Sequence, residues 1–158
     1  PKNTPYADDS TGTVFPAKIG SFSKTTVSKH LNPYYGTVVR YANDFGASAD
    51  VYIYALDLKN EHLSRNQWIA HYDEVKKNIP HLTGGSVPLG ETVPVAEADL
   101  NLSEKSRKAL SRESTLIGKR CRFAFAIGED QFYSELVIFS SGTKIIKLRV
   151  TYPQEMLS

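Results

Sequence analysis

Hydrophobic and polar residues alternate most regularly over the last third of the chain. In Lys119–Ile127, Cys121, Phe123, Phe125 and Ile127 fall on one side, and Arg120, Arg122, Ala124 and Ala126 on the other. Gln131–Ser140 and Thr143–Tyr152 repeat that period of two, with Gly128 and Gly142 in the connections. Successive side chains of a strand point to opposite faces, so this pattern predicts a three-strand meander. Near the other end, Ile19–Lys29 alternates loosely and is rich in Ser and Thr, which predicts an edge strand. Gly36–Ala42 is β-branched, and Ala47–Asp57 carries Val51, Ile53 and Ala55 on one face and Tyr52, Tyr54 and Leu56 on the other. Apolar residues on both faces predict a central strand covered on both sides. Asn32-Pro33 and Asn43–Gly46 supply the turns between these strands.

The period changes in Glu61–Asn78. Trp68, Tyr72, Val75 and Ile79 recur at spacings of four, three and four, and Leu63 and Ile69 widen the stripe. This predicts a long amphipathic helix facing the core, stopped by Pro80. His81–Val95, rich in Gly and Pro, reads as a loop. Leu102–Arg112 has Ser103 as an N-cap candidate and too few apolar residues for more than a short surface helix. The expected fold class is α+β: a mostly antiparallel sheet of about six strands, three N-terminal and three in the C-terminal meander, with one long helix and a candidate short second one. Residues 1–14 are expected to form a flexible polar tether, and 15–158 a single domain.

Composition changes this picture little. With 158 residues, 41% of them hydrophobic and 23% charged, the chain has the make-up of one globular domain. One cysteine excludes an internal disulfide framework and a cysteine-cluster metal site. No apolar run reaches the ~18 residues of a membrane helix. The formal charge is only +2, yet Asn101–Arg122 carries seven basic residues against two acidic ones. A local basic segment suits an anionic surface, and Arg120 and Arg122 project together from one strand face. The aromatic residues of that strand point the other way, which argues against nucleic acid, since single-strand binders present rings and cations on one face.

Catalytic motifs are lacking. Gly84-Gly85 has neither the spacing nor the lysine of a phosphate loop, and there is no nucleophile elbow and no paired-histidine zinc motif. Cys121 lies on the apolar face of its strand, where burial suppresses the thiolate. No catalytic residue and no cofactor is expected. His71 and Glu74, three apart on the helix, are the outside candidates for a metal pair, which needs further ligands to become a site. Tyr34 and Tyr35, in a turn beside Pro33, have no evident core role and are candidate partner anchors.

The segments VVRY (38–41), ADVYIYALD (49–57), the long helix and SELVIFSSGTKIIKLRVTYP (134–153) together resemble small exported bacterial proteins of the Mog1/PsbP-like (DcrB-like) α-β-α sandwich group, over roughly Phe15 to Pro153. That resemblance implies lipoproteins, photosystem accessory subunits or protein-binding modules, without enzymatic activity, and carries no site residue across. The polar N-terminal segment beginning at Pro1 is expected to follow a removed export signal. The functional expectation is an exported, periplasmic or membrane-tethered envelope domain that binds a protein partner or supports an assembly. The alternative is a domain that binds a small ligand or metal ion in the groove beside the 61–78 helix. A homodimer is compatible with a sheet whose second face needs cover.

Overall fold

The computed structural model describes residues 4–56, 64–79, 93–99, 118–141 and 144–157. Its strands are β1 (Tyr6–Ala7), β2 (Val14–Phe15), β3 (Lys18–Ile19), β4 (Phe22–Lys29), β5 (Thr37–Ala42), β6 (Ser48–Ala55), β7 (Val93–Asp99), β8 (Gly118–Ile127), β9 (Asp130–Ser141) and β10 (Lys144–Pro153). One helix, α1 (Arg65–Asn78), lies between β6 and β7 in the chain, and a 3₁₀ turn (Gln154–Leu157) follows β10. β1 and β2 form a two-stranded ribbon. The other strands form one eight-stranded sheet in the order β3-β4-β5-β6-β10-β9-β8-β7. Every neighbouring pair in it is antiparallel.

This corrects the expected fold class. The described chain is mostly antiparallel sheet, ten strands in two sheets with a single 14-residue helix, and not an α+β arrangement of six strands with a long helix. The added strands have physical reasons to escape pattern reading. β1, β2 and β3 have two residues each, too few to show an alternation. β7 contains Pro94, which lacks the N–H of an inner strand, but β7 is the sheet edge and its register shifts between Pro94 and Ala96. The helix is shorter because a capping box opens it. Ser64 Oγ accepts from the Gln67 amide at 3.2 Å, and the Gln67 side chain accepts from the Ser64 amide at 3.0 Å. Of the loop expected over 81–95, residues 93–95 belong instead to β7; its remainder and the short helix expected over 102–112 lie outside the described residues.

The two strand triplets meet at a central ladder. β10 pairs with β6 so that Ile146 faces Ile53 and Lys147 faces Tyr52. α1 covers one face of the sheet. Trp68, Tyr72 and Ile79 pack there against Cys121, Phe123, Leu136, Ile138 and Ile145. On the opposite face Phe15 joins Val39, Tyr41, Ile53 and Ile146, with Tyr6 packed beside them. β6 is therefore covered on both sides, as its apolar faces predict.

The segment expected to be a tether carries part of that cover. Asp8, only 1% exposed, closes the ribbon turn. Its carboxylate accepts from the Ser10 hydroxyl at 2.6 Å, the Thr11 amide at 3.0 Å and the Thr11 hydroxyl at 2.9 Å. Burial alone raises a carboxyl pKa, but these donors and Thr37 outweigh it and hold Asp8 below its ordinary value. Lys24, itself buried, reaches across to the Thr4 carbonyl.

Candidate binding groove

Three strands, α1 and the turn after β4 build a groove on the helix-covered side of the sheet. Tyr52 and Tyr54 of β6, Val38 of β5 and Lys147 of β10 form the floor. α1 supplies one wall with His71, Glu74, Val75 and Asn78, positions that share a helix face because they lie three, four and seven apart. The turn after β4 supplies the other with His30, Tyr34 and Tyr35. The open groove has a volume of about 410 Å³, within the range of small-molecule pockets.

The turn is held by backbone chemistry that its sequence encodes. Asn32 Oδ1 accepts from the Tyr34 amide at 3.0 Å, and the Asn32 carbonyl accepts from Tyr35 and Gly36 at 3.0 and 3.2 Å. The Pro33 carbonyl accepts from the Ala55 amide at 3.1 Å, which ties the turn to the end of β6. Gly36 has φ +59°, a left-handed conformation suited to glycine. The ring of Tyr35 lies 5.9 Å from that of His30. Tyr34 and Tyr35 remain 49% and 67% exposed.

The floor is electrostatically organised. The Lys147 ammonium stands 4.0 Å from the Tyr52 ring centroid and 5.8 Å from that of Tyr54, cation–π distances. Burial weakens its charged form most, Arg149 adds like-charge repulsion, and Asp50 opposes both, so its pKa falls below the ordinary lysine value. Tyr54 Oη and His71 Nε2 share a hydrogen bond of 2.6 Å, with their rings edge to face. Burial, then the negative charge of Glu74, pushes the Tyr54 hydroxyl well above its ordinary range. For His71, burial again dominates, Lys147 adds to it and Glu74 opposes, leaving its pKa below 6.5.

That shift carries a pH dependence. With the folded pKa lowered, the unfolded chain takes up the proton first. The stability due to neutral His71 is therefore intact above the ordinary value and lost as pH falls below about 6.5 towards the lowered one. Urea unfolding at about pH 7.5 and about pH 5.5 should show a larger loss for the wild type than for His71→Gln. Equal losses would assign the effect to other groups.

The proposed sequence candidates divide between the two faces. Tyr34, Tyr35, His71 and Glu74 all come to the groove. Arg120 and Arg122 do not: they alternate with Cys121, which packs under α1, so they point from the opposite face. Arg120 is exposed. Arg122 Nε donates to Glu135 at 2.9 Å, and the Tyr152 hydroxyl donates to the same Glu135 oxygen at 3.1 Å. Lys119, from the same basic segment, lies 3.7 Å from Glu97, which also pairs with Lys76 at 2.8 Å. As a metal pair His71 and Glu74 gain no third ligand: among the described residues no three His, Cys, Asp or Glu side chains group to hold an ion. His62 and His81 lie outside those residues. Cys121 is buried, and burial raises its thiol pKa.

The chain matches no family model and no curated protein. Among the described residues no helix is long and apolar enough to cross a membrane. The site residues missed by sequence reading are Tyr52, Tyr54, His30 and, above all, Lys147. A lysine sharing a strand face with Ile145 was a visible signal, but its place beside Tyr52 depends on pairing strands far apart in the chain.

Proposed function

We propose that this domain is a non-catalytic binding module, and that the groove between α1 and the His30–Tyr35 turn takes a small ligand. The observation that carries this reading is the groove itself: largely aromatic walls with a few converging polar groups, which is the usual make-up of a ligand pocket. Its polar groups are engaged with each other, as Tyr54 with His71, or with ring faces, as Lys147 with Tyr52. Such groups orient a ligand well, and the Tyr54 hydroxyl, held well above its ordinary range, is a poor nucleophile at neutral pH. The resemblance to exported envelope domains supports a setting outside the cytoplasm.

Protein binding is the second reading, favoured by one observation. Leu31 is fully exposed next to the exposed Tyr34 and Tyr35, so the turn presents apolar area beyond what the groove uses. Amide and aromatic NMR spectra recorded against a fragment library test the first reading. Saturable shifts should appear at Tyr34, Tyr54 and His71. Ligands that bind elsewhere, or no binding at all, would overturn it, and the turn would then be tested by crosslinking.

A further inference from the structure

The geometry points to a ligand class for this groove: a small aromatic monocarboxylate, its ring between the tyrosines of the turn and the floor, its carboxylate on Lys147. This rests on the small-ligand reading above and goes further by choosing the charge. Lys147 lines the groove, yet it has no carboxylate within ion-pair distance among the described residues. It stands over the π-faces of Tyr52 and Tyr54, which stabilise a cation without satisfying its three N–H donors.

The alternatives are less well matched. A ligand ammonium would compete with Lys147 for the same ring faces and would meet its charge at short range. A neutral ligand would cover the ammonium and deprive it of water without replacing the lost hydrogen bonds. A carboxylate supplies both charge and acceptors. Two further groups narrow the class. Glu74 lines the helix wall, so a second ligand anion would meet repulsion there, which favours one carboxylate over two. Tyr34 and Tyr35 add rings on the opposite wall, which favours a flat aromatic body over an aliphatic chain. Burial and Arg149 both act against the charge of Lys147, and a bound anion would relieve that opposition.

Phenylacetate, phenylacetamide and phenethylammonium have nearly the same shape and differ in charge. NMR titration of the whole chain with each should show phenylacetate binding about tenfold more tightly than either analogue, as one charge-assisted contact is enough for such a ratio. Lys147→Met should bring phenylacetate down to the level of the amide, with a folded spectrum as control. Equal or tighter binding of the amide or the ammonium at the groove would overturn the carboxylate assignment and leave the small-ligand reading standing. Absence of groove shifts with all three would overturn both. The wild-type comparison decides the matter even if the variant fails to fold.

Discussion

Gly36→Ala is expected to unfold the protein or to cost at least about 3 kcal/mol, a magnitude reserved for changes with a specific steric cause. Gly36 sits at φ +59°, and a Cβ there would lie 1.8 Å from the Ile53 carbonyl oxygen and 2.8 Å from the Tyr54 Cα. Both obstacles are backbone of a central strand, so neither can swing aside. The matched control is Gly128→Ala. Gly128 has φ +61° but nothing within 4 Å of the added carbon. It should lose only the left-handed backbone penalty, about 1–2 kcal/mol. Urea denaturation of both variants separates close approach from backbone conformation. Similar losses at the two positions would mean that the turn can move away from β6. Since domains of this kind are stable by roughly 5–15 kcal/mol, the Gly36 substitution alone takes a large share, and it loosens the turn that carries Tyr34 and Tyr35.

Trp68→Ala should cost about 3–5 kcal/mol, the range for removing a large buried aromatic. Trp68 is 1% exposed and stacks on Tyr72 with centroids 5.8 Å apart and planes 8° from parallel. Behind it lie Leu136, Ile138 and Ile145, strand residues whose positions are fixed by the sheet, so the cavity can close only partly. Tyr72→Phe is the instructive contrast. Among the described residues the Tyr72 hydroxyl meets the Cys121 thiol, a weak partner, and makes no hydrogen bond of ordinary geometry. Removing that oxygen should change stability by less than about 1 kcal/mol. Thermal unfolding followed by circular dichroism gives both values. A Trp68→Ala loss below that of Tyr72→Phe would show that α1 adds little to the core.

Period-two and helical patterns disclosed the parts of this fold that repeat long enough to be read. β5, β6, β8, β9 and β10 each run six residues or more, and the stripe from Trp68 to Ile79 marked the buried side of α1. The strand-dominated fold class was not legible, because two-residue strands and a proline-bearing edge strand leave no period. The N-terminal ribbon was hidden for another reason: Asp8, Ser10 and Thr11 look like solvated polar residues and instead satisfy one another in a tight turn. For the groove, single elements were readable and their assembly was not. Tyr34 and Tyr35 stood out as turn aromatics, and His71 with Glu74 as a helix pair. Lys147 joins them only through the β6–β10 register, a long-range fact that local patterns do not carry.

That same ladder sets a schedule for synthesis. β3 to β6 can pair as soon as they leave the ribosome, but β6 must wait for β10, roughly ninety residues later, before its second edge is filled. At about 5–20 residues per second, the nascent chain spends on the order of 5–20 s with the hydrogen-bonding edge of Ser48–Ala55 open. The ribbon of residues 6–15, translated before β6, can shield the other face of that strand meanwhile. That ribbon thus serves as a local guard over the half-built sheet until β10 arrives.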